Sequence, residues 1–177
     1  MRAPLDASRL HSFMEEMGRS TRGPGRIFLV GGATALLLGI REQTIDVDIK
    51  IDPEPAGVFE AIAVLKDRMS INVELAAPDQ FMPALPGWRE RSEFIARFGQ
   101  IDFYHYDFYG QALAKILRGH RRDLEDVRAL VHLGKVAPPR LQELFDSVEA
   151  EAIRYPAIDV ADFRNRVREF LGGAQDE

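Results

Sequence analysis

Two pairs of residues in the first third of the chain have the types and spacing that phosphate chemistry needs. Asp46 and Asp48 are separated by one residue in Ile45-Asp46-Val47-Asp48-Ile49. Side chains alternate along a strand, so both carboxylates would leave the same face, with backbones roughly 6.6 Å apart. Carboxylate oxygens are hard ligands, and one or two of them plus substrate phosphates is the usual way a protein holds Mg²⁺. Upstream, Gly31 and Gly32 follow the apolar run ending at Val30. Consecutive glycines at a strand-to-helix turn let the backbone approach a phosphate closely, and the N–H groups and dipole of a helix N-terminus favour an anion. Taken alone, a Gly-Gly turn is more often an ordinary turn, and an Asp-x-Asp strand face is most often simply solvated. The two features here fall within 20 residues of one another.

The elements that must position these groups are legible from periodicity. Leu10, Phe13, Met14 and Met17 stand at helical spacing, and the turn-rich stretch Gly18 to Gly25 follows. Arg26 to Val30 reads as a strand and Ala33 to Leu38 as a helix, giving strand, Gly-Gly turn, helix. Ile45, Val47, Ile49 and Ile51 alternate with Asp46, Asp48, Lys50 and Asp52, which predicts a strand with one apolar and one acidic face. A helix over Val58 to Met69 and a strand over Ile71 to Ala76 come next, and Pro78 to Trp88, rich in proline, is expected to be a long loop. Glu93 to Arg97 and Ile101 to Tyr106, joined by Phe98-Gly99-Gln100, read as a hairpin. Four helices should complete the chain: Tyr109 to Arg118, Arg122 to Leu133, Pro139 to Ile153 and Val160 to Leu171. The expected fold is α+β, a mixed sheet flanked by helices over residues 1–107 and a helical C-terminal region over 108–177.

Composition narrows the field further. The 177 residues suffice for a real core without disulfides, and the absence of cysteine removes thiol nucleophiles, iron–sulfur clusters and cysteine zinc sites. The longest apolar stretch, Ile27 to Ile40, is about 14 residues broken by Gly31 and Gly32, too short to span a bilayer. The first residues move directly into an amphipathic pattern without a signal-peptide core, so a cytoplasmic protein with no membrane partner is expected. A net charge of −5 argues against a generic nucleic-acid coat and allows a local basic patch.

A glycine pair, a short helix and an acidic strand resemble the nucleotidyltransferase superfamily that includes DNA polymerase beta, whose signature is Gly-Gly or Gly-Ser followed by Asp-x-Asp. Within it, Arg41-x-x-Thr44-x-Asp46-x-Asp48 looks like the AbiEii-type branch. The run from Ala112 to Val127, with Lys115 and then Arg122-Asp123-Leu124-Glu125-Asp126, is similar to that branch's downstream motif. The resemblance implies that Asp46 and Asp48 bind Mg²⁺ or Mn²⁺ bridging the phosphates of an NTP, and that Gly31 and Gly32 cradle the triphosphate. It implies that Lys115 holds a phosphate or neutralises the leaving pyrophosphate, and that Asp123 positions or deprotonates an acceptor hydroxyl. Arg41 would contact phosphate or brace Asp46, and Thr44 would stand with it in the nucleotide site. Polymerase-like sites often add a third carboxylate, for which the candidates are Glu74, which follows the Val58 to Met69 helix directly and fits the position better as a metal ligand, and Asp102.

Blander readings stand beside these roles. Asp123 and Asp126 open a helix, where acids complement the dipole, and Lys115 can snorkel from an apolar helix. Arg118, His120, Arg121 and Arg122 form a basic run that is either a solvated helix junction or an attraction for nucleotide or RNA. His11, His105 and His132 share no metal-ligand spacing. The aromatic residues Phe103, Tyr104, Tyr106, Phe108 and Tyr109 could stack a base, although alternation assigns about half of them to the core. The expected activity is Mg²⁺-dependent transfer of a nucleoside monophosphate from an NTP to a hydroxyl. The acceptor would be an RNA such as a tRNA 3′ end, or a protein, with a cognate antitoxin if the chain is a toxin. The alternatives are a small-molecule acceptor, as in antibiotic-modifying relatives, and a nucleotide- or partner-binding protein that has lost turnover.

Overall fold

The structure is a computed structural model that describes residues 2–174. Its contacts divide the chain into two compact units. One runs to Ala77 and resumes over Ser92–Tyr106; the other comprises Pro78–Arg91 and the residues from Asp107 onward.

The first unit is a five-stranded mixed sheet with helices on one face. Helix α1 (Ala7–Ser20) begins where the Asp6 carboxylate accepts the Arg9 backbone N–H at 2.8 Å, and buries Leu10, Phe13, Met14 and Met17. Strand β1 (Gly25–Val30), the short helix α2 (Gly32–Leu37), β2 (Asp46–Ile51), α3 (Val58–Arg68) and β3 (Asn72–Leu75) follow in order. After the excursion into the second unit, β4 (Glu93–Phe98) and β5 (Ile101–His105) close the sheet in the order β3-β2-β1-β5-β4. β2 is antiparallel to β1 and parallel to β3, while β5 is parallel to β1. Alternation then sorts the side chains. Ile27, Leu29, Val47, Ile49, Val73, Ile101 and Phe103 pack against α1 and α3 in one apolar cluster, and Phe28, Asp46, Asp48, Lys50, Asn72, Glu74 and Tyr104 take the opposite face. The apolar face expected for β2 holds at Val47 and Ile49, whereas Ile45, one residue before the strand, is exposed.

In the second unit the proline-rich segment is more ordered than its composition predicts. Pro78–Gln80 form a 3₁₀ turn and Trp88–Arg91 a short helix, α4, with Met82, Leu85 and Trp88 buried. Arg91 donates to both oxygens of the fully buried Asp107, at 3.0 and 2.7 Å, and Asp107 also accepts the Tyr109 N–H that opens α5 (Phe108–Arg118). α6 (Arg121–His132), α7 (Pro138–Val148) and α8 (Val160–Gly173) complete the unit around Leu113, Ile116, Val127, Leu130, Leu141, Phe145, Phe163 and Val167. The single helix expected over Pro139–Ile153 is instead α7 followed by a 3₁₀ stretch, Glu149–Arg154. That stretch buries only Ala152 and leaves Ile153 exposed, so little apolar contact holds it in α geometry. Among the described residues, no helix is long and apolar enough to cross a membrane.

Candidate functional site

The glycine turn and the paired acids are built against each other. β1 ends at Val30, which is paired with Asp48 on β2, so the chain turns at Gly31 beside the Asp48 side chain. Gly31 has φ 60 and ψ −124, a conformation that disfavours residues with a β-carbon, and a β-carbon there would lie 3.3 Å from Asp48 Oδ2. Gly32 opens α2, and a β-carbon on it would fall 2.1 Å from Thr44 Oγ1. The turn therefore needs glycine twice, for conformation and for space.

Thr44 anchors the start of β2. Its hydroxyl donates to the Asp46 carbonyl at 3.2 Å, and its backbone exchanges two hydrogen bonds with Leu5 at 2.7 and 2.9 Å. The start of β2 is thus tied to the segment before α1. Arg41 is half-buried in the loop between α2 and β2, where its N–H donates to the Ala35 carbonyl.

Register with β3 completes the acidic face. Asp46 stands opposite Asn72 and Asp48 opposite Glu74. The Asn72 amide nitrogen donates to Asp46 Oδ1 at 2.7 Å and to Glu74 Oε1 at 2.6 Å. Asp102, the other candidate for a third carboxylate, is opposite Arg26 and forms an ion pair with Arg97 at 3.0 Å. That level lies four residues back along β1 from Val30, roughly 13 Å from the level of Asp48. Among the described residues there is no cluster of three or more His, Cys, Asp or Glu side chains arranged to hold a metal ion. The donor chemistry of Asp46 and Asp48 fits a hard cation completed by substrate phosphates rather than an all-protein cage.

The downstream motif forms a separate ion cluster within the second unit. α5 ends at Gly119, and α6 returns so that Lys115 Nζ meets Asp126 Oδ2 at 2.7 Å and Asp123 Oδ1 at 3.4 Å. Arg118 adds two bonds to Asp123, at 2.8 and 2.6 Å. Lys115, Asp123 and Asp126 are all buried, so Lys115 does not snorkel: it bridges two carboxylates. Burial pushes the Asp123 carboxyl up, but the Arg118 hydrogen bond and the charges of Lys115 and Arg118 outweigh it and hold the group below its ordinary value. A carboxylate stabilised in this way is a weaker base than a solvated one. Two members of the basic run are paired with acids: Arg118 holds Asp123, and Arg121 meets Glu125 at 3.0 Å.

Of the remaining residues weighed from sequence, His105 is buried, with Nδ1 3.1 Å from the Thr34 hydroxyl that itself donates to the Leu29 carbonyl. Tyr104 stacks on Phe28 at 5.3 Å between ring centroids, and Tyr106 meets Phe28 edge-on. Periodicity gives no sign that Asn72 lies beside Asp46; the register of β3 and the Asn72 hydrogen bonds show it.

A family model described as a nucleotidyltransferase of unknown function, DUF6036, matches residues 8–172. No curated protein and no solved structure matches the chain.

Proposed function

Because the chain belongs to this nucleotidyltransferase family, we propose that it moves a nucleoside monophosphate from an NTP to a hydroxyl acceptor with release of pyrophosphate. The observation that carries the proposal is the fit of turn to acids: the glycine turn packs so closely on β2 that a β-carbon at Gly31 would lie 3.3 Å from Asp48 Oδ2, which sets the turn's backbone beside two carboxylates of one strand face.

In this reading Asp46 and Asp48 hold Mg²⁺ or Mn²⁺, and Gly31 and Gly32 lie along the triphosphate. The metal would neutralise phosphate charge and clamp attacking and leaving oxygens. The acceptor oxygen bonds to the α-phosphorus, the bond from that phosphorus to the α–β bridging oxygen breaks, and the acceptor proton is lost to solvent or a nearby base. Thr44 keeps Asp46 at the start of β2 in register. Lys115, Arg118, Asp123 and Asp126 enter as a charge-balanced cluster that shapes the second unit, and two of the three Lys115 N–H donors are committed to its carboxylates.

The finer placement is with the AbiEii-type toxins, resting on the Arg41, Thr44, Asp46, Asp48 motif and on Lys115 with Asp123 and Asp126. It carries a tRNA or protein acceptor, a cytoplasmic setting and a cognate antitoxin. A small-molecule acceptor is favoured by one observation, the pairing of Arg118 and Arg121 with acids, which reduces the positive charge offered to RNA.

The test incubates the protein with each α-labelled NTP, Mg²⁺, total RNA and cell extract, with Asp48→Ala in parallel. Label in RNA supports the tRNA-directed toxin reading; label in a protein or a small molecule keeps the chemistry and replaces the acceptor. Nucleotide binding without transfer above the Asp48→Ala background would replace the enzyme with a binding module.

A further inference from the structure

On the open face of the sheet, β2 and β3 place four side chains at the corners of a rectangle: Asp46 and Asp48 on one strand, Asn72 and Glu74 on the other. Its edges are about 4.8 Å across the strands and about 6.6 Å along them. Three corners are carboxylates that repel one another. The fourth is an amide whose nitrogen donates to two of them, Asp46 Oδ1 and Glu74 Oε1.

Which way that amide points is fixed by chemistry. Arg2 Nη1 donates to Asn72 Oδ1 at 2.7 Å and to the Ile71 carbonyl at 2.7 Å. A guanidinium carries only donors and a carboxylate only acceptors. Rotating the amide would set its NH₂ against the guanidinium and its oxygen against two carboxylates. Arg2 therefore locks Asn72, and both amide hydrogens are committed to the acids.

We infer that Asn72 is a positioning residue of the metal site: its amide pins one oxygen of Asp46 and one of Glu74, so that Asp46 presents Oδ2 in a single orientation to the cation. This rests on the metal reading of Asp46 and Asp48 given above. Partners that orient a metal-binding carboxylate typically change metal affinity about 10–100-fold when removed. Asn72 touches neither nucleotide nor reacting atoms in this role.

The test measures Mn²⁺ binding to the full chain, by electron paramagnetic resonance of the free ion and by calorimetry, for the parent protein, Asn72→Leu, Asn72→Thr and Asp48→Ala. Threonine suits an edge strand and covers the case in which leucine prevents folding. The expected result is a loss of about tenfold or more in Mn²⁺ affinity for both Asn72 variants, with the apparent KM for Mg²⁺ rising in parallel and kcat at saturating metal largely kept. If Asp48→Ala loses Mn²⁺ while the Asn72 variants bind like the parent, the positioning role is wrong and the metal site stands. A drop only in the metal-free melting temperature, with affinity unchanged, likewise overturns it as a purely structural contact. If Asp48→Ala binds Mn²⁺ as the parent does, the metal reading itself falls and the inference falls with it.

Discussion

Lys115 and Asp126 meet at 2.7 Å although eleven residues and a helix-to-helix turn separate them. Both are buried and Asp123, which Arg118 also holds, joins them, so the Lys115 ammonium faces two carboxylates. Lys115→Met should leave acids buried without that partner and cost about 3–5 kcal/mol of stability, the usual penalty for breaking a buried pair from one side. Urea unfolding measures it. Adding Asp126→Asn to the same protein should recover part of the loss, a non-additivity that marks direct coupling.

The lowered Asp123 carboxyl makes an acid-side prediction. Its folded value lies below its ordinary value of 3.8, so its contribution is complete above that value and disappears as pH falls through the folded one. Asp123→Asn should therefore be less stable than the parent at neutral pH. The gap between them should narrow as the pH drops below about 4 and close in stronger acid. Thermal melts across that range read the sign directly, and a gap that widens on acidification would contradict the ion cluster.

Space at the glycine turn is equally specific. Gly32→Ala places a methyl 2.1 Å from Thr44 Oγ1 and 2.8 Å from Thr44 Cβ, so something must shift. Overpacking of this kind costs about 1–3 kcal/mol. Gly32→Ala with Thr44→Ala removes the nearer clash and should be less destabilised than the two single changes summed, as denaturant midpoints would show.

Asp48→Asn keeps the shape of the side chain and removes its charge. With the nucleotidyl-transfer chemistry proposed, the loss of several kcal/mol of metal-borne charge stabilisation corresponds to about a 10³-fold fall in label transfer, with the melting temperature close to the parent's. Transfer within a few-fold of the parent would remove Asp48 from the reaction.

The parts of this arrangement that sequence could reach are those written in local period. Alternation through Val47 and Ile49 placed Asp46 and Asp48 on one face, and the glycine pair marked the turn before α2. Long-range register is invisible to period. Nothing in the composition around Asn72 announces that it lies opposite Asp46, or that Asp102 lies at the far end of β5. Proline content foretold an irregular Pro78–Trp88 segment, yet burial of Met82, Leu85 and Trp88 orders it, an effect of packing rather than of propensity. The break after Val148 was missed for the opposite reason: Glu149–Arg154 has good helix formers and too little to bury.

The chain crosses between its two compact units three times, after Ala77, after Arg91 and after Tyr106. Neither unit is a continuous stretch of gene. Recombination that swapped residues 107 onward for another module would leave Pro78–Arg91 without the rest of its unit, and Arg91 without the Asp107 that it clasps. Inheritance of the second unit is thereby tied to inheritance of the first, because its two segments cannot be exchanged together by a single crossover.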